Sequence, residues 1–207
     1  MDIINLMTSL PKDAVEMQEY VTRLGGCYLD GAIEAYPDDI GAKKTIVNYS
    51  GDKAVWDRHE ASLLVPAGRS RWIGSYVGAA SVLDTAMVGG FFITAVGAFL
   101  EAASFASKSG VPVQELSESA EYFIDLMHGE IKSVISSLTT QDFNSDQATL
   151  NVYVTALKTW RQAMIDAGEP AHLLSANLHA MEMAIAAGHG NSGIAATYSA
   201  PRTVKDL

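Results

Sequence analysis

Asp84 is the residue in this chain whose setting most calls for chemistry. It lies in Tyr76–Ser107, a run of apolar and small residues that holds only one other charge, Glu101. Asp84 stands where the pattern wants an apolar side chain. A carboxylate in such a place costs on the order of several kcal/mol unless it is paired, protonated or facing a water-filled pocket. Burial would raise its pKa and let it donate a proton near neutral pH. If ionised, it would stabilise a cation such as an iminium. The structural alternative is an ion pair with Arg or Lys, across a dimer or at a wet edge of the helix.

Other chemical patterns are thin. His179 and Glu182 sit three apart on one helix, a spacing that can share a metal, but no HExxH or second ExxH accompanies them. No metal is therefore expected. There is no GxSxG elbow. The single cysteine, Cys27, forms no internal disulfide and fits a reducing cytoplasm. A dinucleotide site wants a Gly-rich turn between a strand and a helix. Gly25-Gly26 ends a helix, and Gly188-His189-Gly190 follows one, so a pyrophosphate has no cradle of backbone N–H groups here.

The elements that must position Asp84 come in two styles. Over the first seventy-four residues the pattern alternates. Ile3–Leu6, Cys27–Asp30, Thr45–Tyr49 and Trp72-Ile73 read as strands. Pro11–Leu24 and Lys53–Leu64 read as helices, with Asp52 as N-cap of the second, and Pro37–Gly41 reads as a turn. This is a layered α/β unit. After Gly74 the chain reads as helices: Tyr76–Ser109, Val113–Leu138, Gln147–Ala167 and Ala171–Ala187. The expected division is 1–74 for the α/β part, 75–198 for a helical dimerisation and substrate domain, and 199–207 for a loose tail. The first long helix is apolar on every side, so it should be buried all round. Its small residues, Gly78, Ala79, Ala80, Gly89, Gly90 and Gly97, allow close approach of another helix. A homodimer wrapping this helix is expected.

Composition narrows the partners. The formal net charge of the 207 residues is -10 and the pI about 4.8. No basic patch stands out, which argues against nucleic acid or an anionic membrane surface. Thr85–Leu100 is sixteen uncharged residues, short of the roughly 20 that a membrane span requires. The N-terminal residues Met1–Leu6 lack the basic and apolar regions of a signal peptide, so a cytoplasmic location is expected.

Three motifs carry a resemblance. They are Tyr28-Leu29-Asp30-Gly31-Ala32-Ile33 with Pro37, Ile40-Gly41 and Tyr49-Ser50-Gly51; then Gly78-Ala79-Ala80-Ser81-Val82-Leu83-Asp84 with Gly97-Ala98-Phe99-Leu100; then Ala187-Gly188-His189-Gly190 with Ile194-Ala195-Ala196. In this order and spacing the chain resembles the imine reductases and reductive aminases of the β-hydroxyacid dehydrogenase superfamily. The resemblance runs from Ile3 to about Ala196. It implies a truncated Rossmann-like βαβ unit, a long inter-domain helix and a C-terminal helical bundle in an interlocked homodimer. Each active site would lie between one chain's Rossmann domain and the other's helical domain.

The resemblance also assigns roles. Asp84 matches the family's proton-donor position. Phe92 stands where an aromatic is common two turns further on, so a Tyr-type donor is absent. Met7–Pro11 matches the loop that closes over the nicotinamide end, which makes Thr8 and Ser9 candidate substrate contacts, although a helix N-cap before Pro11 explains them equally. Met87, Phe91, Phe92 and Phe99 are candidate pocket walls, with plain core as the alternative. Tyr122, Tyr153 and Trp160 lie on helices that would face the partner's cleft.

The family's first strand, Gly-rich loop and cofactor-selecting loop should all precede Ile3. The reading that follows is an enzyme without a cofactor, working by acid–base catalysis on an imine, iminium or enamine. Cyclisation of an amino-ketone in the biosynthesis of a nitrogen-containing small molecule is one example. The alternatives are an NADPH-dependent imine reductase, as a fragment or with a separate cofactor-binding chain, and a non-catalytic dimeric ligand-binding protein.

Overall fold

The computed structural model describes residues 1–145 and 147–200. Strands β1 (Asp2–Asn5), β2 (Cys27–Glu34), β3 (Ile46–Gly51) and β4 (Arg71–Gly74) form one sheet in the order β1-β2-β3-β4. Helix α1 (Pro11–Arg23) carries the chain from β1 to a parallel β2, and α2 (Lys53–Leu63) carries it from β3 to a parallel β4. The two βαβ units meet at an antiparallel pair, β2 with β3, in which Asp30 faces Ser50 and Ala32 faces Asn48. Both helices begin as the sequence indicates. Pro11 opens α1, where its missing N–H goes unneeded, and the Asp13 carboxylate accepts the Leu10 N–H at 3.1 Å. Asp52 caps α2 by accepting the Ala54 N–H at 2.8 Å.

Strand alternation divides the core in two. Tyr28 packs with Ala14 and Val21 of α1, whereas its neighbour Leu29 packs with Val47, Val55 and Trp56 on the α2 side. Strand β2 runs four residues beyond Asp30, to Glu34. Asp, Gly and Glu are poor strand formers, which is why the run reads shorter in sequence. Pairing with β3 overrides that preference. Gly31 is required there, because a Cβ would stand 2.8 Å from Leu6 Cδ2 and from the Tyr49 ring.

The chain divides into two compact units, Met1–Ala95 and Val96–Leu207. The second contains α4 (Thr94–Lys108, shared with the first at its start), α5 (Leu116–Thr140), α6 (Leu150–Asp166), α7 (His172–Ala184) and a final 3₁₀ segment, Ile194–Ser199. Its core joins Leu150, Val154 and Leu157 of α6 to Leu178, Met181 and Ala184 of α7, with Ala196 and Ala200 beneath the last segment. Glu101 of α4 accepts the N–H groups of Leu173 and Leu174 at 3.0 and 3.1 Å and so caps α7. Ala200 is buried in this core. Pro201–Leu207, read as the end of a loose tail, lie outside the described residues.

The long helix differs most from expectation. It runs from α3 (Ala79–Asp84) through a π-helical stretch, Thr85–Ile93, into α4, spanning Ala79–Lys108. Within this chain it is not buried all round. Ala80, Ser81 and Ala106 are buried, but Phe91, Phe92, Ile93, Val96, Phe99 and Leu100 are exposed. The sheet is short and packs mainly against α3. By length and composition this helix is long and apolar enough to cross a membrane, contrary to the expectation from its uncharged stretch alone.

Candidate active site

The site is built on one face of the sheet. Alternation along β2 puts Tyr28, Asp30, Ala32 and Glu34 on the same face, and along β3 it puts Asn48 and Ser50 beside them. Ser50 fixes the entry of α3 above this face. Its hydroxyl donates to Val77 O at 2.6 Å and accepts the Ala80 N–H at 2.9 Å. Asp30, 1% exposed, is the hub beneath. It accepts from Asn5 Nδ2 at 3.0 Å, Tyr28 Oη at 3.1 Å and Ser81 Oγ at 3.0 Å. Ser81 Oγ also lies 3.3 Å from Ser9 Oγ. One buried carboxylate thus ties the end of β1, the loop after it and the first turn of α3 together.

Asp84 follows Ser81 by one turn of helix. It is half-buried, and among the described residues its carboxylate accepts no hydrogen bond and forms no ion pair. Burial holds its carboxyl above the usual carboxylate range. An ion pair within the described chain therefore does not account for it.

Beyond Asp84 the helix widens, and Thr94 Oγ1 donates to the carbonyl of Gly89 five residues back. Met87, Val88, Phe91, Phe92 and Ile93 from this stretch face Ile33, Glu34, Ala35, Tyr36 and Asp39 across a cavity of about 390 Å³. The rings of Tyr36 and Phe92 meet edge to face, with centroids 6.4 Å apart. Glu34 accepts Asn48 Nδ2 at 2.7 Å, and Asn48 Oδ1 in turn accepts Arg71 Nε at 2.7 Å. Burial raises the Glu34 carboxyl, and the Asp84 charge adds to the effect against the opposing Asn48 hydrogen bond and Arg71 charge.

Met87, Phe91 and Phe92, named from sequence, thus come together in one wall. Ser9 is tied to Ser81, while Thr8 is exposed and makes no side-chain hydrogen bond among the described residues. Tyr122 and Trp160 are exposed on α5 and α6 of the second unit. Tyr153 packs against the α6–α7 core beside Phe143 and a small cavity of about 70 Å³. Glu182, weighed as a metal ligand with His179, pairs instead with Lys158 at 2.8 Å, and the described residues hold no cluster suited to a metal. Asp30 and Glu34, which build this polar face, are not among the candidate residues named from sequence. Two acids at even spacing across a glycine were the available signal for one polar strand face.

The fit to a nicotinamide dinucleotide is divided. The loop 6–10 leaves the carboxyl end of β1, a parallel strand, which is where open α/β sheets take ligands, and Ser9 stands in it. The N-terminus of α1 does not fit the pyrophosphate. The first turn of α1 already has the Asp13 carboxylate on the Leu10 N–H, a negative charge where a phosphate would need a positive field.

Comparison with known proteins bears on the same point. Residues 77–203 match the family described as NADPH-dependent reductive aminase-like, C-terminal domain. The chain is 27% identical over 205 residues to the NADPH-dependent reductive aminase of Aspergillus oryzae, covering 94% of this chain and 66% of that protein. An imine reductase from Pseudomonas sp. superposes with a TM-score of 0.89 at 30% identity, over 96% of this chain and 69% of that one. An imine reductase from Myxococcus stipitatus, solved in complex with NADP+, gives 0.89 at 26% identity, over 96% and 70%. The chain thus spans about two thirds of the length of these relatives. The expectation of an enzyme without a cofactor is corrected here: the Aspergillus oryzae relative is named as NADPH-dependent, and the Myxococcus stipitatus structure holds NADP+. Cofactor-free cyclisation finds no support among them.

Proposed function

The chain belongs to the NADPH-dependent reductive aminase-like family, and on that premise we propose that it serves the NADPH-dependent reduction of a C=N bond in a small imine, or in the imine formed from a ketone and an amine. The observation that carries this reading is Asp84, a carboxylate without an ion-pair or hydrogen-bond partner among the described residues, one turn before the wall of an apolar cavity. The reduced nicotinamide, when bound, supplies the hydride that such a reaction needs. Asp84 supplies the proton bookkeeping at nitrogen. Protonated, it donates to the imine nitrogen; ionised, it pairs with the iminium. Met87, Phe91 and Phe92 give the reacting bond an apolar wall; exposed in the single chain, they would exclude water and strengthen that interaction once a second copy covers the helix. Ser9, held by Ser81 and through it by Asp30, lines the approach from the loop after β1.

A homodimer belongs to the same proposal. An apolar flank of the long helix is left open, with Phe91, Phe92 and Ile93 exposed in the first unit and Val96, Phe99 and Leu100 exposed in the second. A second copy packed on this helix would cover it. Light scattering on the purified protein should give twice the chain mass; a monomer would remove this part of the proposal.

The activity is tested by following NADPH consumption with a small cyclic imine, and with a ketone plus a primary amine. Oxidation of NADPH that depends on the imine or on the ketone–amine pair is expected. Its absence under both conditions would overturn the reading.

A further inference from the structure

We propose that Glu34 selects substrates carrying a second basic nitrogen and holds that ammonium in the cavity while Asp84 serves the C=N nitrogen. This rests on the reading of the cavity as the C=N site. Glu34 stands in the wall of the roughly 390 Å³ cavity, among largely apolar neighbours. One of its oxygens takes the Asn48 amide proton, and the other accepts no hydrogen bond from any described residue. Asn48 is fully buried and is itself held by Arg71, so Glu34 is fixed from behind without a direct ion pair. A carboxylate placed in that way recovers its lost hydration from a ligand that brings a positive charge. The adjoining Tyr36 and Phe92 rings offer π faces suited to an ammonium. A cation bound there also relieves the repulsion between Glu34 and Asp84. The substrate class that satisfies both acids is a short aliphatic diamine as the amine partner, or a cyclic imine with an aminoalkyl arm.

The test is calorimetric titration of the protein with trimethylenediamine and with n-butylamine, which has the same number of heavy atoms but one charge fewer. A charge-assisted hydrogen bond predicts roughly tenfold tighter binding of the diamine. Glu34→Gln, which keeps an acceptor for Asn48, should reduce that ratio to about one, and Glu34→Asp should restore part of it. Asp84→Asn should weaken both amines alike and leave the ratio in place. Equal affinities in the unmodified protein, binding of neither amine, or a ratio that survives Glu34→Gln would overturn the proposal. If the ratio follows Glu34 but Asp84→Asn changes neither affinity, the role given to Asp84 fails and that of Glu34 stands.

Discussion

Replacing Asp30 with alanine should cost the first unit more than any other single polar substitution in it. Three donors converge on this carboxylate at 3.0 to 3.1 Å, and hydrogen bonds to a charged acceptor contribute about 1.5–3 kcal/mol each. The simple sum overstates the loss. Asn5 is only half-buried and regains water, Ser81 can turn to Ser9 Oγ, and removing a buried carboxylate refunds part of its desolvation. A net loss of roughly 3–5 kcal/mol remains, dominated by the stranded Tyr28 hydroxyl and the cavity. Asp30→Asn keeps one oxygen for Asn5 and Tyr28 and forfeits the Ser81 bond alone, so about 1–2 kcal/mol is expected. Urea unfolding followed through Trp56 and Trp72, which flank β3, reads both values. The reasoning fails if Asp30→Ala stays within about 0.5 kcal/mol of the parent, the range of an ordinary surface change. It also fails if the asparagine variant is as damaged as the alanine one.

Three further outcomes follow from the packing. Glu101→Ala removes the acceptor for two N–H groups at the start of α7, and should lower stability by about 1–3 kcal/mol in chemical denaturation. Glu101→Gln should recover about half of that. Gly31→Ala drives a Cβ to 2.8 Å from Leu6 and Tyr49, an overpacking expected to cost about 1–3 kcal/mol; an unchanged denaturation midpoint would show that the strand yields there. Asp84 has a raised folded-state pKa, so the stability linked to its protonated form is full below the unfolded value and is lost as pH rises through the folded one. Asp84→Asn should therefore melt higher than the parent at about pH 8 and level with it at about pH 3, and a pH-independent difference would count against the burial argument.

The fold was legible where periodicity and punctuation agree. Pro11, Asp52 and the glycines after the helices mark the element ends within a few residues, because caps and breakers act locally. The polar face of the sheet was not legible. Asp30 and Glu34 look like strand terminators by propensity, and only pairing with β3 shows that they lie inside β2. Asp84 was visible because a lone acid in an apolar run is conspicuous without any tertiary information. Glu34, whose carboxyl feels the Asp84 charge, lies fifty residues away and is placed by the antiparallel register of β2 with β3, which leaves no local trace. The long helix misled in the other direction. Its all-round apolarity reports what must be covered, and a sequence pattern does not distinguish a cover supplied by the same chain from one supplied by another molecule.

The central claim is that Asp84 handles the proton at the C=N nitrogen in an NADPH-dependent reduction. The most direct measurement is the pH dependence of kcat/KM for a cyclic imine, in the parent and in Asp84→Asn. The substrate's own titration is common to both, so the difference between the two profiles belongs to Asp84. The expected result is a loss of about a hundredfold or more in the variant, together with disappearance of a limb that titrates above the usual carboxylate range. An Asp84→Asn enzyme with the parent's rate and the parent's pH profile would contradict it.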